Sequence, residues 1–355
     1  MTSCERILTA LSLKVPDRVP SGLWGFNREA HKIFKAKTGS DDPEEYFKMD
    51  CRGVVVNETK VDVNQYRKFH KVELHPTASL NEWGTAFVPG SNPAFDHFIP
   101  PFVWAESVKD IEKYPLPDLL EDYRYDGLKE KIENIQKRGL ATVGLMAMTI
   151  FEVAWQIRGF NELFNDFVFN PKMAECLLDG ITELRCYQAK RFVELGVDIL
   201  HIGDDVGMQD RLMMSPETYR KWLKERLAKV IASAKKVNPD IPVFYHSCGY
   251  VEPIIPDFID IGITCLNPVQ PECMDPEKLK KEYGTHLAFW GTIGTQTTMP
   301  FGTPEDVRRE VKRRIEVVGA GGGLVIAPTH ALEPEVPWEN VMALIEAVEK
   351  YGIYK

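Results

Sequence analysis

The stretch Val197–Gly203 reads VDILHIG, and Ile241–Cys248 reads IPVFYHSC. Continuous apolar runs of this kind are typical of strands that are buried on both faces. Similar runs occur at Ala141–Ala147, Ile263–Val269, His286–Thr292 and Gly323–Ala327, with amphipathic stretches between them. This alternation is typical of parallel βα units. The sequence therefore predicts an α/β fold, a (β/α)8 or TIM barrel, whose reactive groups lie at the C-terminal ends of its strands.

The first third of the chain is less regular. Arg18–Gly25 is predicted as the first strand, Glu29–Lys37 as a helix, and Val72–Val88 as a hairpin that decorates the barrel. Ile99–Pro117 is predicted as an extended loop that leads into a helix near residues 125–138. No repeat or linker divides the sequence, so we expect one barrel domain over residues 1–355. A doubly wound open sheet is the alternative, but no Gly-rich dinucleotide fingerprint follows an early strand.

Local signals place several helix starts. Ser215 and Thr303 each precede a proline, which is typical of an N-cap followed by the first helical residue. At the N-terminus, Thr2 or Ser3 is expected to cap a short amphipathic helix rather than a signal peptide, because charged residues interrupt the apolar stretch.

Composition restricts the class of protein. The chain has 355 residues and a formal net charge of -9, with acidic and basic residues mixed along its length. A nucleic-acid partner is not expected, because there is no basic stripe that could neutralise phosphates. No apolar run approaches the ~20 residues that span a bilayer, so no membrane association is expected. The seven scattered cysteines favour reduced thiols and a cytoplasmic protein.

Polar residues follow the predicted strands and form the candidate site. They are Asp204 and Asp205, His246 and Cys248, Asn267 and Gln270, Thr295 and Gln296, and His330. His246 and Cys248 are two residues apart, so on a strand they face the same side. Thiolate and imidazole are preferred zinc ligands, and His330 would complete a three-ligand catalytic site with an open position. The alternative is a packed cysteine beside a hydrogen-bonded histidine.

Other residues admit two interpretations. Glu152 could add an oxygen ligand to the metal, but Thr149 and Glu152 also have the spacing of a capping box that opens a helix. Asp204 and Asp205 are adjacent, so one is expected to reach the cavity while the other caps the next helix or binds a backbone amide. His201 is interpreted as a core histidine with satisfied hydrogen bonds. Trp24, Phe26 and Trp155 are candidates for an apolar pocket, or for plain core.

Several motifs resemble the uroporphyrinogen decarboxylase superfamily over nearly the whole chain. They are Arg6-Ile7-Leu8, Pro16-Asp17-Arg18-Val19-Pro20, Gly203-Asp204-Asp205-Val206-Gly207, Tyr245-His246-Ser247-Cys248-Gly249, Leu266-Asn267-Pro268-Val269-Gln270-Pro271, Phe289-Trp290-Gly291, Ala327-Pro328-Thr329-His330 and Pro337-Trp338-Glu339-Asn340. The resemblance implies a distorted barrel. It also implies one of two activities, porphyrinogen decarboxylation or corrinoid-dependent methyl transfer.

The sequence departs from the decarboxylases at one motif. Decarboxylases carry an arginine-rich segment after the first strand, whereas here Ser21–Arg28 contains Arg28 as its only cation. A substrate with eight carboxylates needs several guanidinium partners. The methyltransferase branch resembles the chain better. Its members bind zinc through a His-x-Cys pair, which His246 and Cys248 match, and a later cysteine, where this sequence has His330.

The resemblance therefore implies a methyltransferase that moves a methyl group between a small methyl ether, amine or thiol and a separate corrinoid protein. Zinc, or His330 as an acid, would stabilise the leaving heteroatom. Asp204 or Asp205 would orient a histidine, and Asn267 and Gln270 would hold polar groups of the substrate. Two alternatives remain: a decarboxylase of a tetrapyrrole or smaller acid, and a non-catalytic barrel that carries a corrinoid or tetrapyrrole.

Overall fold

A parallel sheet forms the centre of the molecule, in a computed structural model that describes residues 1–90 and 96–354. Its seven strands have the order β1-β5-β6-β7-β8-β9-β10, and every neighbouring pair is parallel. The strands of the sheet are β1 (Cys51–Val54), β5 (Ala141–Met146), β6 (Ile199–Gly203), β7 (Val243–His246), β8 (Cys265–Asn267), β9 (Ala288–Ile293) and β10 (Leu324–Pro328). The predicted barrel and its six apolar strands are confirmed, with bounds that differ by a few residues at most.

The predicted first strand is wrong as a regular element. Arg18–Gly25 makes only isolated bridges, because Pro20 has no N–H to donate to a ladder. The segment still fills the gap between the two ends of the sheet. Ile326 N–H donates to the Pro20 carbonyl and Gly22 N–H to the Ile326 carbonyl, while Asp50 N–H donates to the Ser21 carbonyl. It thus takes the eighth position of the barrel, beside β10 on one side and the start of β1 on the other.

Strand β1 was not predicted from the sequence. This strand has four residues, of which one is an arginine and one a glycine, so it lacks the apolar run that identifies the other strands. Its position is fixed by pairing with β5, in the register Cys51↔Ala141 to Val54↔Gly144.

Helices surround the sheet. They are α1 (Ser3–Leu11), α2 (Arg28–Thr38), α3 (Pro43–Tyr46), α4 (Val108–Glu112), α5 (Leu128–Lys137), α6 (Phe151–Arg158), α7 (Phe160–Phe169), α8 (Pro171–Glu194), α9 (Pro216–Tyr219), α10 (Glu225–Lys235), α11 (Ile255–Asp260), α12 (Pro276–Tyr283), α13 (Thr298–Phe301), α14 (Pro304–Val317) and α15 (Trp338–Tyr351). Short 3-10 turns lie at Val63–Phe69, Asp122–Tyr125 and Glu252–Ile254, and a π turn at Arg220–Lys224 joins α9 to α10.

The predicted caps are present at three helix starts. Thr2 caps α1 in a capping box with Glu5, Ser215 caps α9, and Thr303 caps α14 in a capping box with Asp306. Helix α1 then packs under the barrel, where Ile7 and Leu11 join the inward side chains of the strands in one apolar cluster. This cluster forms the floor of the barrel, so the open end is the one at which the strands terminate.

The hairpin prediction is confirmed and extended. Strands β2 (Ser79–Leu80) and β3 (Ala86–Pro89) are antiparallel around a turn at Asn81, and β4 (Asp96–Ile99) adds a third strand. The predicted loop at Ile99–Pro117 also contains α4, which the proline content had obscured.

The seven cysteines are free thiols. Within the described part of the chain, no helix is long and apolar enough to cross a membrane.

Candidate metal centre

Three potential metal ligands converge at the C-terminal end of the barrel. The Nε2 atom of His246 lies 3.4 Å from Cys248 Sγ and 3.6 Å from Asp205 Oδ1. One ligand atom from each side chain falls within 4.8 Å of the others, and in residues 1–90 and 96–354 no other His, Cys, Asp or Glu side chain joins this group. The carboxylate, imidazole and thiol together form a donor set of the kind that zinc binds in proteins.

The backbone explains why these side chains meet. His246 is the last residue of β7 and is in register with Gly203 at the end of β6 and Asn267 at the end of β8. A Cβ at position 203 would lie 2.4 Å from the His246 carbonyl oxygen, so glycine permits this close approach of the two strands. Beyond the strand, the Cys248 N–H donates to Asp205 Oδ1 at 2.7 Å. That bond holds the β6 and β7 turns together and brings the carboxylate to the thiol.

Asn267 fixes the orientation and the tautomer of the His246 imidazole. Its Oδ1 lies 2.6 Å from His246 Nδ1, and its Nδ2 donates to the Trp290 carbonyl at 2.8 Å. The amide orientation is thus fixed from the side of Trp290, so Nδ1 of His246 carries the proton and Nε2 presents its lone pair to Cys248 and Asp205. A hydrogen bond to the distal ring nitrogen is the usual support of a metal-bound histidine.

The adjacent aspartates have the two different environments that the sequence predicted without assigning them. Asp205 joins His246 and Cys248 in the ligand cluster. Asp204 is buried, and its carboxylate accepts from Ile150 N–H and Glu152 N–H, so it caps α6. Burial raises the pKa of Asp204 to about 6, although the backbone N–H groups offset part of this effect.

The predicted capping box at Thr149 and Glu152 is wrong. Thr149 Oγ1 donates to the Met146 carbonyl and accepts from Gly203 N–H, and it makes no bond to α6. Glu152 Oε2 instead accepts from Asp205 N–H at 3.0 Å. Burial, and then the charges of Asp205 and Asp204, raise the pKa of Glu152 well above its usual range. Glu152 therefore lies behind the three ligands and supports the Asp205 backbone.

Two other candidate residues are separated from the cluster. His330 is exposed on the turn after β10 and does not join the three ligand atoms. Gln270 is buried, and its Oε1 accepts from Gly249 N–H, so it holds the turn that carries Cys248. Thr295 and Gln296 follow β9, where Thr295 N–H donates to Thr329 Oγ1 and Gln296 N–H to Glu272.

The electrostatics of the cluster favour a bound cation. Burial, and then the charges of Asp205 and Glu152, raise the pKa of the Cys248 thiol. Burial lowers the pKa of His246, so the imidazole is neutral and available as a ligand. A divalent cation would offset the acidic charges and deprotonate the thiol. The residues present therefore fit a zinc ion held by Asp205, His246 and Cys248.

A large cleft beside the cluster was not predicted from the sequence. Its volume is about 750 Å³, and it lies between the hairpin turn, the loop after β1 and the end of β5. Arg185 of α8 lines it, buried against the Trp83 ring, and donates to the carbonyls of Thr149 and Met148. The only feature of the sequence that could have indicated this cleft was Arg185, an arginine on the apolar face of a long helix. The cleft itself joins segments that are far apart in the chain.

Comparisons with known proteins support one family. The model of the family described as uroporphyrinogen decarboxylase (URO-D) matches residues 85–351. A methylcobamide:CoM methyltransferase of Methanosarcina barkeri is 34% identical over 247 residues, which cover 68% of this chain and 69% of that protein. A uroporphyrinogen decarboxylase of Vesicomyosocius okutanii is 23% identical over 279 residues, 76% of this chain and 75% of that protein.

Among solved structures, a methyltransferase from Methanosarcina mazei has a similar fold. The TM-score is 0.68 at 22% sequence identity, and the match covers 99% of both chains. At this identity the likeness concerns the fold alone.

Proposed function

Because this chain belongs to the uroporphyrinogen decarboxylase (URO-D) family, we propose that its metal centre serves methyl transfer to or from a corrinoid protein rather than decarboxylation of a tetrapyrrole. The observation that carries the proposal is the convergence of Asp205, His246 and Cys248 at the barrel mouth. The 34% identity to a methylcobamide:CoM methyltransferase gives independent support.

The reaction moves a methyl group between a heteroatom of a small ether, amine or thiol and the cobalt of the corrinoid. In the demethylating direction the carbon–heteroatom bond breaks, its electron pair stays on the heteroatom, and cobalt(I) supplies the pair for the new carbon–cobalt bond. A zinc ion at the site would act as a Lewis acid that stabilises negative charge on that heteroatom. The corrinoid is carried by a separate protein, which approaches the open end of the barrel.

The residues of the chain hold the site in place for this step. Asn267 orients His246, and Gln270 fixes the turn that carries Cys248. Both ends of the Asn267 amide are bound to protein atoms, and the Gln270 oxygen is bound to Gly249 N–H, so we assign both residues the role of positioning the ligands. Glu152 Oε2 accepts from Asp205 N–H at 3.0 Å, so this carboxyl group supports the backbone of the ligand Asp205.

The positions of the two arginines in the Arg18–Arg28 segment argue against decarboxylation of a tetrapyrrole. Arg18 is bound to buried Asp50, with Nη2 2.8 Å from Oδ1. Arg28 is on the outer surface of α2, 3.7 Å from Glu29. A substrate with many carboxylates needs several convergent guanidinium groups, and this segment supplies none inside the barrel.

The test combines metal analysis with an assay of the full chain. We expect one zinc per chain, and loss of the methyl–cobalt absorbance of methylcobalamin when the enzyme is mixed with a suitable thiol. A panel of methyl ethers and methylamines with cob(I)alamin tests the reverse direction. Cys248→Ala should lose zinc and activity together while it keeps its fold, as judged by its circular dichroism spectrum.

Matched variants separate the ligand from other residues. Cys176→Ala removes a thiol on the outside helix α8 and should keep both zinc and activity. His330→Ala should keep zinc at full occupancy, because its ring does not join the cluster. Full zinc occupancy in Cys248→Ala would overturn the metal assignment, and appreciable turnover of uroporphyrinogen by the wild-type protein would overturn the choice of reaction.

A further inference from the structure

A second cavity lies inside the barrel, directly beneath the metal centre. Its volume is about 160 Å³, and its wall consists of residues of β1, β5, β6, β7 and β9 together with Leu23, Trp24 and Glu44. Trp24 connects it to the metal centre, since its ring centroid lies 5.4 Å from that of His246 and 5.3 Å from that of His201. Phe244, two residues before His246 on β7, lines the cavity from the same side.

Three polar atoms in the wall lack a partner. His201 is 1% exposed, and neither of its ring nitrogens makes a hydrogen bond within the described residues. The buried Nε1 of Trp24 is also without a partner there. More than nine in ten buried polar groups in proteins are hydrogen-bonded, because an unpaired buried group loses its hydration without compensation. Three such atoms on two neighbouring side chains that line one cavity indicate a guest that supplies their partners.

The chemistry of the wall defines the guest. Trp24 Nε1 only donates, whereas a neutral imidazole has one donor and one acceptor nitrogen. The complete burial of His201 favours the neutral ring, because a charged imidazolium would lose its hydration there. The guest must therefore accept hydrogen bonds and also donate one, as a hydroxyl group does.

Charge excludes an anionic guest. The described residues that line the cavity include no lysine or arginine, and their one acid is Glu44, whose pKa burial raises to about 7. A sulfonate or carboxylate would lose its hydration without gaining a cationic partner, which is costly. The aromatic rings of Trp24, Phe244 and Trp290 instead suit a flat apolar body.

The volume of the cavity and its access from the barrel mouth also restrict the guest. An engineered protein cavity of about 150 Å³ holds benzene, so this cavity suits a molecule of about that size. Leu145 lines both this cavity and the large cleft at the barrel mouth, so the two spaces are neighbours across one side chain. A molecule that enters from the mouth would reach His201 and Trp24 beside His246.

We infer that the barrel interior holds a binding pocket for an uncharged molecule of about the size of benzene that carries a hydroxyl group, with His201 and Trp24 as its hydrogen-bonding partners. The further step, that this molecule is the non-reacting part of the methyl-transfer substrate or product, rests on the proposed function. The binding of such a molecule in the pocket does not depend on the proposed function.

Phenol is the probe, with benzene as an apolar control of the same size and benzenesulfonate as an anionic control. Titration of the zinc-loaded full chain should show phenol binding at least about ten times more tightly than benzene, and no detectable binding of benzenesulfonate. Phenol should also shift one indole N–H resonance, which Trp24→Phe identifies by its disappearance. The same binding should persist in Cys248→Ala, so phenol bound only at the metal is distinguished from phenol in the pocket.

His201→Phe keeps a ring but removes both nitrogens, and it should weaken phenol binding about tenfold without weakening benzene binding. If His201→Phe does not fold, Trp24→Phe provides the same comparison, and His201→Gln should restore part of the affinity. Equal phenol affinity in the wild type and the folded variant would overturn the inference. So would benzenesulfonate binding as tight as that of phenol, or no phenol binding at all, in which case the cavity holds only water.

Discussion

Asn267 illustrates how far a residue's role depends on partners that the sequence does not reveal. Its position at a strand end predicted contact with the substrate, yet both ends of its amide are occupied by His246 and the Trp290 carbonyl. Asn267 is 0% exposed, so a substrate cannot compete for it. In the structure it fixes the orientation of the His246 imidazole, and this depends on the register of β7 with β8.

Removal of this support should weaken zinc binding without removing a ligand. We expect Asn267→Ala to raise the zinc dissociation constant by about 10–100-fold, because the proton on His246 Nδ1 loses its acceptor and the imidazole its fixed orientation. Asn267→Asp retains a carboxyl oxygen at the same place and should recover most of the affinity. Competition against a chromophoric chelator measures both values. Equal zinc affinity in Asn267→Ala and the wild type would show that the amide serves only packing.

At the scale of elements, helix α6 shows why its capping was mispredicted. The spacing of Thr149 and Glu152 matches a local capping box, but the cap comes from Asp204 in the next βα turn, 54 residues away from Ile150. In a parallel barrel the ends of neighbouring strands meet, so a buried carboxylate can outcompete a local side chain for the helix N-terminus. Such a partner is visible only after the strands are in register.

Alanine substitutions of Asp204 and Asp205 should therefore have different effects on stability and on zinc binding. Asp204→Ala should lower the free energy of unfolding by about 1–3 kcal/mol, because the N–H groups of Ile150 and Glu152 lose a buried acceptor. Asp205→Ala should lose zinc, but the unfolding free energy of the zinc-free protein should fall less, since the Asp205 side chain is 34% exposed. Denaturant unfolding and elemental analysis of both variants provide the comparison. A larger loss of stability in Asp205→Ala than in Asp204→Ala would contradict the assignment.

The predictable part of the fold is the part with a strong periodic pattern. The six apolar strands, the caps at Ser215 and Thr303 and the hairpin all follow from local residues. The convergence of His246 with Cys248 was predicted from their spacing on one strand, but β7 ends at His246, so Cys248 lies in the turn beyond it. The bond between Cys248 N–H and the Asp205 carboxylate holds that turn and brings Asp205 to the thiol. His330 follows a strand, but where its turn directs the ring depends on local geometry that no pattern encodes. Likewise β1 is too short and polar to be recognised.

At the scale of the whole molecule, the barrel is closed by side chains as much as by backbone pairing. Asp50 is fully buried at the start of β1 and binds four groups from two other segments. Its Oδ1 accepts from Ser3, from Arg6 at 2.8 Å and from Arg18 at 2.8 Å, while Oδ2 accepts from Ser21 N–H. Asp50 thus joins helix α1, the irregular Arg18–Gly25 segment and the sheet where the ladder is interrupted. This explains why two motifs near the N-terminus carry arginines.

We therefore propose that residues 1–355 unfold as one unit whose stability depends on Asp50. Asp50→Ala should lower the free energy of unfolding by about 3–5 kcal/mol, because it leaves the buried Arg6 guanidinium with Asp17 as its remaining carboxylate partner. The control is Asp17→Ala, which removes a carboxylate whose side chain is 41% exposed and should cost at most ~1 kcal/mol. Both variants should keep a single transition in denaturant, with circular dichroism and tryptophan fluorescence coincident. A separate early transition in Asp50→Ala would show instead that α1 and the closing segment form a dispensable unit. In that case the barrel floor would not be part of the cooperative core.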